Sequence, residues 1–335
     1  MNNRDVDLPD LLGVDLPLVQ AGMGGGLATG QLAGAVSKAG ALGTIGLLPA
    51  SVMSAELHAA RELAGGRPVA ANLLMPFARR EHVDACVAAG ARAVALFFGY
   101  DREVVERLHD AKITVLHQVG TVGEARRALA AGADVLVAQA REAGGHLLGV
   151  QDLESAIRDI TAVAGSTPVL AAGGIVIAED ARRALAAGAA GVAVGTRFLL
   201  TDESNAHDEY KARVLSAEET IETTLFGLAW PARHRVVSNQ ATERWCHPSG
   251  RAKALPSSLN RVMQPLTKLM PDSAAELVVR RQRVSRPFFS PAPLLRGMDS
   301  KGADVTPLYA GGGVNRIHEL RSAAAVVEEL AAGLR

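Results

Sequence analysis

Residues Arg141 to Gly149 read REAGGHLLG. A histidine behind two glycines, at the end of an apolar run, can be a base, an anion holder once protonated, a metal ligand or a buried structural group. The ordinary imidazole pKa near neutrality suits proton transfer. No H-x-x-H or H-E-x-x-H spacing surrounds His146, so no metal is expected. The serious competitor is a buried structural histidine. Gly144, Gly145 and the adjacent strand end weigh against it. His117, in ITVLHQV, is a second imidazole, better read as a strand-end polar residue.

Other polar and glycine positions end apolar runs with the same regularity. Asn72 and Gln139 offer amide donors and acceptors, and each taken alone is as readily a satisfied core amide. Gly22 and Met23 open a glycine-rich stretch whose backbone can lie against a flat ring. Gly173–Gly174 and Gly195–Thr196 follow two successive apolar runs. Glycines let backbone N–H groups approach phosphate oxygens, and Thr196 adds a hydroxyl. One such turn means little, but two at paired positions favour phosphate. Phosphate at one side and amides for a flat ring at the other suggest FMN.

These residues need a scaffold that brings many strand ends together. Eight apolar runs read as buried parallel strands: Pro17–Met23, Ala41–Leu47, Pro68–Leu74, Ala93–Phe98, Ile113–Val119, Val135–Ala140, Pro168–Gly174 and Gly191–Leu199. Amphipathic stretches such as Glu81–Ala89 and Glu124–Ala131 lie between them. ARRALAAGA occurs twice, at Ala125–Ala133 and Ala181–Ala189. In each copy Ala and Leu four apart line one helix face, the arginines take the other, and Gly132 or Gly188 suits a left-handed helix end. Eight strand–helix units predict an α/β fold, a (β/α)8 TIM barrel, with a doubly wound sheet as runner-up. Gly22–Gly30, GMGGGLATG, misses the G-x-G-x-x-G spacing.

The expected organisation is a barrel over residues 1–200, a mostly helical capping subdomain over 201–293, and a segment over 294–335 that returns to the barrel. Ala274–Arg283 is expected to be helical, the capping segment to cover the barrel mouth, and Val314–Leu334 to form a long closing helix. The 335 residues carry 35 basic and 35 acidic groups. That balance gives no reason to expect nucleic acid or an anionic membrane as partner. The basic run Arg280–Arg286 reads as a solvated face. Two distant cysteines, Cys86 and Cys246, a polar start and no long apolar run point to a reducing, cytoplasmic setting.

The chain resembles the nitronate monooxygenase family, formerly 2-nitropropane dioxygenases, and more distantly the FMN-dependent enoyl-acyl-carrier-protein reductases. The resemblance rests on PLVQAGMGGGLATGQLAGAVSKAGALGTIG, ANLLMPF, AQAREAGGHLLG, PVLAAGGI, VGTRFLLTDES and LYAGGGV. It implies an FMN-dependent barrel that oxidises alkyl nitronates with O2 to a carbonyl compound and nitrite. Carried over by position, the flavin contacts are Gly22, Met23, Asn72, Gln139, Gly144, Gly174, Gly195 and Thr196, and His146 is the active-site histidine. Gly145 and Gly173 extend that set from the residue reading. Ala193 and Ala140 stand where relatives often have Gln and Gly, and Ala310–Gly313 reads AGGG where relatives have an AGQG-type pattern. These positions bear on the pocket wall.

Two other readings stay open. The enoyl reductases share the barrel and the EAGGH element, and would take hydride from NAD(P)H. A flavin-binding protein without turnover is the non-enzymatic alternative. Inosine monophosphate dehydrogenase is set aside, because Gln139–Gly149 holds no cysteine. The expected partners are a small-molecule substrate and O2, with a homodimer left open.

Overall fold

The computed structural model describes residues 7–228, 230–267 and 281–335. Residues 274–280 of the expected helix Ala274–Arg283, and Arg280 of the basic run, lie outside the described residues. The chain divides into two compact units. One takes residues up to Ala143, Leu148–Asn205 and Glu319–Arg335; the other takes Gly144–Leu147 and Ala206–His318.

The first unit is a (β/α)8 barrel. Its strands are β1 (Leu18–Gln20), β2 (Gly43–Ile45), β3 (Val69–Leu74), β4 (Ala93–Phe97), β5 (Thr114–Val119) and β6 (Val135–Gln139). The short β7 (Gly145–His146) belongs to the second unit. β8 (Val169–Ala172) and β9 (Gly191–Val194) complete the barrel. The parallel order is β1-β9-β8-β6-β5-β4-β3-β2. Closure between β1 and β2 comes from Gln20 N donating to Leu42 O and Leu42 N donating to Leu18 O, both at 2.9 Å.

Every predicted barrel strand is present, and their side chains alternate between two buried environments. Val19, Leu42, Ala70, Ala93, Leu116, Val135, Val137, Leu170, Ala172 and Ala193 share one apolar cluster inside the barrel, reached from below by Leu8 and Leu12. Their strand neighbours Ala71, Val94, Leu136, Ala138, Ala171 and Val192 pack instead against the surrounding helices. The two-residue period of a strand makes this division. Because both faces are dry, the strands read as continuous apolar runs.

The repeated ARRALAAGA segments behave alike. They lie in helices Val122–Ala131 and Ala178–Ala186. Ala125, Ala128, Ala181 and Ala184 are fully buried, the paired arginines are exposed, and Gly132 and Gly188 take φ of +100° and +107°. A residue with a Cβ is disfavoured in that conformation.

Two boundaries differ from expectation. The run Gly191–Leu199 stops being a strand at Val194, and Thr196–Leu199 form a helical turn whose Phe198 and Leu199 amides donate to Gly195 O. The long helix expected over Val314–Leu334 is only Ala323–Ala331, because the Ser322 hydroxyl caps it by accepting from Ala325 N. Val314–Arg316 is a separate 3-10 turn, and the chain passes from one unit to the other at His318–Glu319.

The second unit contains helices, among them Asp208–Leu215 and Ala254–Thr267, and also a sheet that sequence reading did not anticipate. In it β11 (His234–Val237) pairs antiparallel with β10 (Ile221–Thr223), β12 (Leu308–Tyr309) and β7. Strands of two to four residues are too short to show a period. Leu225, Phe226, Val236, Ala241 and Phe289 form the core beside it.

Candidate active site

In the barrel unit, strand parity decides which polar side chains look inward. Asn72 follows Ala70 by two residues, Gln139 follows Val137, Thr44 follows Leu42, and Gln118 follows Leu116; all therefore share the interior face. Asn72, Gln139 and Thr44 are at most 5% exposed, so their polar atoms need partners within the protein or from a ligand. Asn72 Nδ2 donates to Ala95 O at 3.1 Å. Gln139 Oε1 accepts from Leu148 N at 2.7 Å and Gly149 N at 3.2 Å, which pins the far end of the loop that carries His146. Thr44 Oγ1 is buried with no hydrogen-bond partner among the described residues. Thr44 was not singled out from sequence, although its parity with Leu42 was legible there.

His117 falls on the opposite parity and points away from the barrel interior. It is 1% exposed, its Nε2 donates to Gly99 O at 2.8 Å, and its ring stacks on Tyr100 at 4.8 Å. Burial lowers its pKa. This arrangement is structural.

The glycines divide by what requires them. A Cβ on Gly22 would sit 2.2 Å from Asn72 Cβ and 3.2 Å from Thr44 Cγ2, so Gly22, Asn72 and Thr44 are one packed group. Met23 beside it packs on the apolar cluster around Leu18 and Phe198. Gly173 (φ +122°) and Gly174 (φ +68°) form a turn against Ala140, Glu142 and Ala143. Gly195 is different. Its φ is −105°, and among the described residues beyond its chain neighbours the only heavy atom within 4 Å of an added Cβ is Ala21 Cβ at 3.8 Å. Neither backbone nor neighbour demands glycine there, which leaves space beside Thr196 that a ligand can use. Ala21 N donates to Val194 O at 2.9 Å and so ties the β1 and β9 ends together.

Gly144, Gly145 and His146 belong to the second unit. A Cβ on Gly144 would lie 2.6 Å from Ala310 C and Gly311 N, so EAGGH packs on LYAGGGV. His146 and His234 are direct partners across β7 and β11. The His146 ring stacks on Trp230 at 3.9 Å and meets the His234 and Tyr309 rings at 5.3 and 5.4 Å. The hydroxyl of Tyr309 donates to Pro291 O, and that of Tyr210 donates to Tyr309 O. His234 Nδ1 donates to Ala232 O at 2.9 Å, which fixes its tautomer and makes Nε2 the acceptor; that Nε2 is buried without a hydrogen-bond partner among the described residues. Burial brings the pKa of His234 to about 4. His146 is held well below 6.5, first by desolvation and then by His234. Both imidazoles are neutral at pH 7.

The pattern of the nitronate monooxygenase family matches residues 6–82 and 75–333. The chain belongs to that family. It is similar to a (3aS,4S,5R,7aS)-5-hydroxy-7a-methyl-1-oxo-octahydro-1H-indene-4-carboxyl-CoA dehydrogenase of Mycobacterium tuberculosis, 34% identical over 71% of this chain and 67% of that protein. It is 30% identical to a probable nitronate monooxygenase of Staphylococcus saprophyticus, over 63% of this chain and 72% of that one. The structure of a nitroalkane oxidase from Streptomyces ansochromogenes superposes with a TM-score of 0.76 at 29% identity, covering 98% of both chains. FabK from Thermotoga maritima shares the fold, with a TM-score of 0.73 at 24% identity over 96% of this chain and 94% of that one. As a member of this family the chain is an oxidoreductase.

Of the positions that set the chain apart, Ala193 packs within the interior cluster beside Val19 and Ala172, where a longer side chain would enter the barrel. Ala140 is fully buried, and its Cβ lies 3.2 Å from where a Cβ on Gly173 would be. Among the described residues no group of three or more His, Cys, Asp or Glu side chains is placed to hold a metal, and no helix is long and apolar enough to cross a membrane.

Proposed function

We propose that this chain is an FMN-dependent enzyme that oxidises alkyl nitronates, and nitroalkanes once deprotonated, with O2 to a carbonyl compound and nitrite. The observation that carries the reading is His146, a neutral, desolvated imidazole in a chain of the nitronate monooxygenase family. Neutral imidazole takes a proton; only imidazolium holds an anion by charge. His146 is therefore assigned as the base that removes the proton beside the nitro group, rather than as the anion holder. Trp230 and Tyr309 fix its ring and limit water around it.

The barrel residues fit FMN. Gly173, Gly174, Gly195 and Thr196 are assigned to the phosphate, on two left-handed glycines and the open space at Gly195. Gly22, Met23, Asn72 and Gln139 are assigned to the ring, with Thr44 added on its buried hydroxyl, which has no hydrogen-bond partner among the described residues. Gly144 and Gly145 are assigned as the close-approach backbone preceding His146. FMN, when bound, supplies the electron acceptor that couples substrate oxidation to O2. A cytoplasmic enzyme with a small-molecule substrate and no nucleic-acid partner fits this assignment.

A second reading has its own support. The Mycobacterium tuberculosis relative, 34% identical, is by name a carboxyl-CoA dehydrogenase, and so is a Rhodococcus jostii relative at 32% identity. Redox chemistry on a thioester, by dehydrogenation or by NAD(P)H-dependent enoyl reduction, is the alternative. Anaerobic mixing of the FMN-loaded protein separates the two. Flavin bleaching by ethyl nitronate supports the first. Bleaching by NADH, NADPH or an acyl-CoA, with none by nitronate, supports the second.

A further inference from the structure

Among the described residues two non-glycines have a left-handed backbone, Phe98 (φ +62°) and Lys112 (φ +59°). Lys112 is exposed and follows the helix Arg102–Asp110, and its amide donates to His109 O; this is an ordinary helix end. Phe98 ends no helix. A bulky side chain is strained in this region, and such strain survives only where the surroundings enforce it.

The enforcement is on both sides of Phe98. Phe97 O accepts from Met75 N at 2.9 Å, in register with β3. Gly99 O accepts from His117 Nε2 at 2.8 Å. Gly99 itself must lack a side chain, because a Cβ would lie 2.5 Å from Met75 Cβ. His117 stacks on Tyr100, and the Arg127 guanidinium lies 5.0 Å over the Tyr100 ring. A buried histidine, a tyrosine and an arginine thus hold one short turn. A glycine at 98 would adopt that turn without strain, yet an aromatic ring stands there.

The turn follows the C-terminal end of β4, the end of a barrel at which substrates bind. Phe97 shares the interior parity of Ala93, and the Phe98 ring lies 4.1 Å from it, half-buried. We infer that Phe98 is a specificity-determining residue: its ring forms part of the wall against which the substrate's apolar portion packs, and it admits a linear chain in preference to one branched beside the reacting carbon. His117 is the positioning residue that holds it. The substrate class rests on the proposed function; the wall does not.

The test compares Phe98→Gly with Phe98→Ala. Both remove the ring, and only glycine relieves the backbone, so the glycine variant should melt above the alanine variant, the reverse of the usual order. Titration calorimetry with linear and α-branched nitronates, and with linear and α-branched acyl-CoA thioesters, gives the affinity ratio between linear and branched ligands. In both variants that ratio should fall by about tenfold in the ligand class that binds. A ratio within about twofold of wild type in both classes, or no discrimination by the wild type, overturns the inference, and so does an alanine variant that melts above the glycine variant. The nitronate reading fails separately. If nitronates neither bind nor bleach the flavin while the thioester ratio shifts, the wall stands and the nitronate reading falls.

Discussion

His146 and His234 face each other across the antiparallel pair of β7 and β11, their rings 5.3 Å apart. Both lie on short strands of the second unit, 88 positions apart in the chain, and of the two only His146 is legible as a candidate from sequence. The pair explains why His146 is neutral. A desolvated imidazole beside a second imidazole resists protonation twice, through lost hydration and through repulsion if both were charged.

The base assignment predicts a split between substrates. His146→Ala should lower kcat/KM for neutral nitroalkanes by about 10²–10⁴-fold and leave preformed nitronates much less affected. Steady-state kinetics with nitroethane and ethyl nitronate, on folded and flavin-loaded variant, measures it. Equal loss on both substrates would remove the base role.

Trp230 reports the protonation state of His146, because the rings stack at 3.9 Å. An imidazolium in that position quenches indole emission, whereas neutral imidazole does so weakly. In a Trp245→Phe background, which leaves Trp230 as the single tryptophan, fluorescence should fall on acidification with a midpoint well below pH 6.5. His146→Phe should abolish the transition.

Stability should depend on pH through His234. Its folded pKa, about 4, lies below the unfolded value near 6.5, so the unfolded chain binds the proton first. Stability is then full above about pH 6.5, declines as pH falls towards 4, and loses roughly 3 kcal/mol from this residue across the window. His234→Asn keeps a donor for Ala232 O and removes the titration. Urea unfolding at intervals from pH 7 to 4 should show a shallower decline in this variant.

Two glycine substitutions should part company. Gly22→Ala forces its Cβ onto Asn72 and should cost about 1–3 kcal/mol of stability along with flavin content. Gly195→Ala meets only an ordinary contact with Ala21 among the described residues, and an ordinary φ, so it should melt like wild type while retaining less flavin. The flavin-to-protein absorbance ratio and the melting temperature, taken together, distinguish the cases. A Gly195→Ala protein with wild-type flavin content would remove Gly195 from the phosphate site.

Features that depend on short-range chemistry were legible in residue order alone. Apolar runs buried on both faces gave the eight barrel strands, ARRALAAGA with its terminal glycine gave two helices and their ends, and GG after the run from Pro168 gave a turn of two left-handed glycines. Parity even held the answer for His117, since its neighbour Leu116 faces inward. Features that depend on distant segments arise only when the chain folds. It brought His234, Trp230 and Tyr309 to His146, set Gly144 against Ala310 and Gly311, and cut the C-terminal helix to Ala323–Ala331. The second-unit sheet is built of strands too short to carry a period, so its partners are fixed by cross-strand hydrogen bonds and packing between residues far apart in the chain. Desolvation by those partners sets the charge of His146, and no local pattern encodes that.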